Sequence, residues 1–156
     1  MKLHQNILVP AALMLISLTA QAVEYPDGYR HWTHIKTLIL HAGHPLDNPF
    51  EGIHHIYANQ EGLQGLQSGQ YADGSVLVFD LLENITRDHA SAEGERVLVG
   101  VMKKDRKKDA ATGDWGFEAW SGNSRTERIV KDGGQSCFAC HTSEEKNGYV
   151  FSRWRE

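Results

Sequence analysis

The sequence predicts a mainly β protein of the α+β class: an antiparallel β-sheet, one N-terminal helix and a short C-terminal helix carrying CxxCH. Three observations lead there. Strand-length runs rich in Val, Leu, Ile and Phe succeed one another at "GIHHIYAN", "SVLVFDLLE", "ERVLVGVMKK" and "GDWGFEAW". A turn pair, Asp73-Gly74, and a charged loop, "KKDRKK" from Lys103 to Lys108, separate them, which favours hairpin links. A stretch with helical spacing of apolar residues precedes them all.

In chain order, Met1 to Ala22 reads as a cleavable export leader. Lys2 precedes the apolar "ILVPAALMLISL", and "AQA" sets Ala20 and Ala22 at the small-residue positions that cleavage before Val23 requires. A membrane anchor would need about 20 unbroken apolar residues, and Pro10 interrupts this run. Residues 23–156 then form a single domain, expected in the periplasm and with no membrane span after cleavage. With 16 basic against 20 acidic residues the net charge is −4, which argues against nucleic acid or an anionic membrane as partner. "KKDRKK" is read as a solvated hairpin loop; docking an acidic redox partner is its alternative use.

Trp32, Ile35, Leu38 and Ile39 fall at helical spacing, so an amphipathic helix is expected here, ending near Gly43 and Pro45. Gly52 to Asn59 reads as a strand. "QEGLQGLQSG" reads as a short helix or an irregular turn weakened by its glycines. Three strands follow as a meander, with Val97, Val99 and Val101 on one side and Leu98 and Met102 on the other. Apolar side chains on both faces imply that both are covered, by a helix, a second subunit or a flat apolar cofactor.

The chemistry concentrates in "SCFACH", Ser136 to His141, which holds the only two cysteines. A redox dithiol would open the helix of a βαβ unit, and this pair lies at the end of an antiparallel chain. A structural zinc site needs four ligands, and no second cysteine pair completes one. A disulfide leaves the histidine unexplained. Covalent haem accounts for every residue: Cys137 and Cys140 form thioethers and His141 is the axial ligand to the iron. The sixth position is less determined. Met102 reads as core. His31, His34, His41 and His44, on or beside the expected helix, read as solvated or capping residues. Only one of His54 and His55 can face inward. An open, apolar distal site is therefore preferred; a plain electron carrier would need His54 or His55 as sixth ligand.

"YPDGYRHWTHI", "FEGIHHIYAN", "SGQYADGSVLV", "VLVGVMKKD", "TGDWGFEAW", "SCFACH" and "GYVFSRW" resemble, in order and spacing, the cytochrome P-460 family, which includes the cytochromes c′-beta. The resemblance implies an antiparallel β fold with a few helices, one covalent haem c at His141, an open distal side and a homodimer packed through its sheets. Members that oxidise hydroxylamine carry a lysine cross-linked to the haem, and Leu66 and Gln67 stand where it is expected. No lysine occurs between Lys36 and Lys103. The chain thus resembles the c′-beta-like members, which look like binders of nitric oxide or carbon monoxide. Phe50, Tyr71, Phe79 and Trp120 are the candidate distal caps. Glu118, which shares a strand face with Trp120, is the candidate proton acceptor, with Arg125 a further charge to place, should the protein instead be an oxidoreductase acting on hydroxylamine, nitric oxide or peroxide.

Overall fold

The computed structural model describes residues 23–155, so the expected leader, Met1 to Ala22, lies outside the described residues. Five strands form one antiparallel sheet in the order β1-β2-β3-β4-β5, a meander in which each strand pairs with its chain neighbours. They are β1 (Thr33–Leu40), β2 (Gly52–Ala58), β3 (Val76–Arg87), β4 (Ala90–Lys104) and β5 (Trp115–Ser121). β3 and β4 run beyond the other strands as a two-stranded arm. Asp88 and His89 close it with φ of 52° and 65°, the left-handed pair that a tight hairpin turn requires.

The expected N-terminal helix is β1. Only a 3-10 turn, Tyr29–His31, precedes it. The misleading spacing has a physical source: a bulge between His34 and Lys36 in the β1–β2 register makes Ile35 an extra residue and breaks the period of two. Thr33, Ile35, Thr37 and Ile39 are β-branched, and the edge of β2 supplies register partners to Thr33, Thr37 and Ile39.

The segment "QEGLQGLQS" is a regular helix, α2 (Gln60–Ser68), following the short α1 (Asp47–Phe50). Asn59 caps α2: its side-chain oxygen accepts from Gly62 N at 2.8 Å and from Val76 N at 2.9 Å, tying the helix start to β3. The glycines serve close approach. A Cβ on Gly62 would stand 2.7 Å from the Val76 carbonyl oxygen, and one on Gly65 would stand 2.2 Å from the Tyr71 ring.

Each face of the sheet carries a packed apolar cluster. On one, Ala58, Leu77, Met102, Trp115 and Phe117 pack with Leu66 of α2, Val150 of the C-terminal tail and the helix α3 (Gln135–His141). On the other, Val78, Val99, Val101 and Trp120 pack under Tyr25, Tyr29 and Trp32 of the N-terminal segment. Val97, expected inward, is 39% exposed.

Candidate functional site

Gly133 and Gly134, with φ of 66° and 86°, turn the chain into α3. The Asp132 carboxylate accepts from Ser136 N at 2.8 Å and Gly134 N at 3.0 Å; hydrogen bonding from the Ser136 side chain, then from its backbone N–H, holds the pKa below the usual carboxylate range. A Cβ on Gly134 would come 2.9 Å from Phe117 Cβ, so this entry lets α3 lie against β5. Cys137 is half-buried and joins the adjacent apolar cluster; Cys140, three residues on, is exposed. Both are free thiols. Burial, then the Asp132 charge, pushes the Cys137 thiol up.

His141 ends α3, four residues after Cys137 and on the same helical stripe. Its Nδ1 lies 2.6 Å from the Tyr149 carbonyl oxygen. A carbonyl only accepts, so Nδ1 carries the proton and Nε2 presents a lone pair. Burial pushes the imidazole pKa down, which favours the neutral ring. Phe117 and Phe151 flank the ring at 5.0 and 4.9 Å between centroids.

The sheet beside α3 is not covered evenly. One cross-strand row, Ala58–Leu77–Met102–Phe117, is buried throughout. The next row in register, Lys36–Ile56–Phe79–Gly100–Ala119, is half-buried at every position. Beyond it, His54, Leu81 and Leu98 are buried again. A strip of small and apolar side chains is thus left open across the middle of this face. Its two smallest members, Gly100 and Ala119, are direct partners.

The family model for cytochrome P460 matches residues 26–152. The chain belongs to the cytochrome P460 family. A comparison with curated proteins returned no match. Membership makes haem the implied cofactor, and the residues present fit it. Two free thiols and a neutral imidazole with an unused Nε2 share one short helix, and an open apolar strip lies on the sheet face against which that helix packs.

In this P460 chain the fold sorts the residues singled out in the sequence. Phe79 lies in the strip, with Phe50 at 5.8 Å and His54 at 4.7 Å between ring centroids. Tyr71 stacks edge-on against Trp115 at 5.3 Å, within the apolar cluster that also holds Cys137. Trp120 and Glu118 are on the other face. Along β5, Trp115, Phe117 and Ala119 point toward α3, so the intervening Glu118 and Trp120 point away. Trp120 is fully buried at 5.1 Å from Tyr25, and Glu118 pairs with Arg128 at 2.7 Å and accepts from Ala119 N at 2.9 Å. Arg125 pairs with Asp27 at the surface. Neither Glu118 nor Trp120 meets His141.

Of the adjacent histidines, His54 faces the α3 side and is 6% exposed, with Nε2 at 2.5 Å from the Phe50 carbonyl oxygen. His55 faces the other side, where Thr37 Oγ1 lies 2.8 Å from its Nδ1. Met102 sits in the closed row at 8% exposure. At the two positions where a lysine was sought, Leu66 is buried in the cluster with Cys137 and Gln67 is exposed.

Three participants escaped the sequence. Lys36 stands at the β1 end of the open strip; burial first, then Arg155 and Arg153, pushes its pKa down. The helix expected there concealed its strand register. The Tyr149 carbonyl, which meets His141 Nδ1, and the Trp115 indole, which donates to the Gly148 carbonyl at 3.0 Å, are the others, and a backbone acceptor leaves no mark in a side-chain pattern.

Proposed function

We propose that this cytochrome carries a single covalent haem c, with thioethers to Cys137 and Cys140 and His141 Nε2 as axial ligand. Its opposite haem face takes a small diatomic ligand such as nitric oxide. The observation that carries this reading is the His141 ring, with Nδ1 committed to the Tyr149 carbonyl, on a helix with two free thiols. The haem supplies an iron that binds and exchanges electrons with small ligands. The chain's residues orient the imidazole, and Phe79, Ile56 and neighbours exclude water and anions from an apolar surface.

Two observations disfavour the alternatives. A sixth ligand from His54 would have to displace its bond to the Phe50 carbonyl. The oxidoreductase reading loses its candidate base, because Glu118 is ion-paired on the far face. Export to the periplasm, cleavage before Val23 and a homodimer belong to the same proposal; Ile39 and Val97, exposed at 36% and 39%, favour a partner surface on the strands.

Optical spectra of the haem-loaded ferric, ferrous and nitric-oxide-treated protein are the test. Expected are a c-type ferrous spectrum, five-coordinate without added ligand, and a large Soret change with nitric oxide. A six-coordinate low-spin ferrous haem before any ligand is added overturns the open site. A strongly shifted Soret band in the untreated protein overturns the absence of a macrocycle cross-link.

A further inference from the structure

Two tryptophans of β5, Trp115 and Trp120, are both fully buried, on opposite faces of the strand. Their indole N–H groups fare differently. That of Trp120 has no acceptor among the described residues, whereas that of Trp115 donates to the Gly148 carbonyl at 3.0 Å. Gly148 begins an unusual piece of backbone. It and Tyr149 are both left-handed, with φ of 64° and 67°. Glycine adopts that conformation freely; tyrosine does not, and holds it only where its surroundings dictate it.

The surroundings are specific. The peptide plane between Gly148 and Tyr149 is held at both ends: its oxygen accepts from Trp115, and its N–H donates to the Glu144 carbonyl at 2.8 Å. The N–H of Gly148 donates to Glu145 O at 2.9 Å, closing the 3-10 segment Thr142–Asn147 that leads directly from His141. Tyr71 stands so close that a Cβ on Gly148 would meet its ring at 2.9 Å, which denies the chain any bulk there. From this clamped plane the next carbonyl, that of Tyr149, projects to His141 Nδ1 at 2.6 Å.

We infer that Trp115 is a positioning residue for the axial histidine: its indole clamps the Gly148–Tyr149 peptide, which aims the Tyr149 carbonyl at His141 Nδ1. The inference rests on the reading of His141 as the iron ligand. The consequence is electronic as well as steric. A histidine whose Nδ1–H is held by a strong acceptor donates more charge through Nε2, which strengthens the iron–histidine bond and favours the ferric state. Loss of the clamp lets the carbonyl drift, so that bond weakens and the ferrous state gains.

Trp115→Phe and Trp120→Phe make a matched pair, since each removes one indole N–H from a fully buried site on the same strand. Resonance Raman of the ferrous haem-loaded protein reads the iron–histidine stretch, and redox titration reads the potential. Expected for Trp115→Phe is a lower stretching frequency and about a tenfold rise in the ferrous-to-ferric ratio at fixed poise, a shift of about 59 mV for one electron. Trp120→Phe should leave both unchanged.

If Trp115→Phe lowers the melting temperature while stretch and potential stay at wild-type values, Trp115 is only core and the inference falls. Should that variant not fold, nitrogen NMR of the wild-type apoprotein decides: an Nδ1–H tautomer at His141 supports the clamp, and an Nε2–H tautomer overturns it. Absence of any iron–histidine stretch in the wild type overturns the ligand reading itself, and the inference with it. A wild-type stretch that Trp115→Phe does not move overturns the inference alone.

Discussion

The two faces of the sheet each bury an apolar cluster, to opposite ends. Behind β3, Asp80 is fully buried and fully answered: Tyr29 Oη donates to it at 2.7 Å, Arg96 Nε donates at 2.6 Å, and Arg30 stands 3.7 Å away. That network closes the face. On the α3 side, the central row is half-buried and apolar except for Lys36 at its edge. A buried carboxylate thus marks the finished face, and an undistinguished row of Ile, Phe, Gly and Ala marks the open one. Titratable residues locate a site only when their partners leave something undone.

The largest effect should come from breaking the closed face. Asp80→Ala leaves the buried Tyr29 hydroxyl and Arg96 Nε without their acceptor and Arg30 without one of its two carboxylates, and about 3–5 kcal/mol of stability should be lost in urea unfolding. Trp120→Ala should cost a similar amount, about 3–5 kcal/mol, through the cavity it opens. Neither residue faces His141, so the haem spectrum of the folded fraction should match wild type. A changed spectrum in Trp120→Ala would return that residue to the distal pocket and erase the contrast between faces.

A smaller effect, of opposite kind, is expected in the open strip. Gly100 is half-buried on a central strand and its φ is not positive, so Gly100→Val suits the backbone and gains β propensity. The new Cβ meets Phe79 Cδ1 at 3.2 Å, a side-chain atom on the exposed side that can yield a few tenths of an ångström. Stability should move by less than about 1 kcal/mol. Haem loading, or nitric oxide uptake by the loaded protein, should nevertheless fall at least several-fold. Unimpaired loading and uptake in Gly100→Val would show that the cofactor lies elsewhere.

This contrast was partly visible beforehand. The strands β2 to β5, the meander and the CFACH helix were legible because turn pairs, β-branched runs and a fixed motif are local signals. β1 was not, because one bulge at Ile35 counterfeits a helical period. The error had a cost at the site, since it hid Lys36 at the end of the strip. Trp120 and Glu118 were misassigned for another reason. Strand alternation tells which residues share a face but not which face a later helix will choose, and the close approach of Gly134 to Phe117 decides that. Nor does any side-chain pattern announce a left-handed Tyr149.

The smallest predicted effect compares one histidine from each face. His54, on the α3 side, is 6% exposed; burial lowers its pKa, with the hydrogen bond to Phe50 O acting in the opposite sense. His34, on the other side, is exposed, and its pKa is lowered first by what burial it has and then by the neighbouring His55. For each, the unfolded chain titrates near pH 6.5 and the folded chain below that. The unfolded state therefore binds more protons in that window, and stability falls as pH drops below about 6.5. Urea midpoints between pH 7.5 and 5.5 should decline in the wild type. His54→Leu should flatten that decline more than His34→Leu, because the more deeply buried ring is the harder to charge. Equal slopes in the two variants would mean that the α3 face is wetter around His54 than its burial implies.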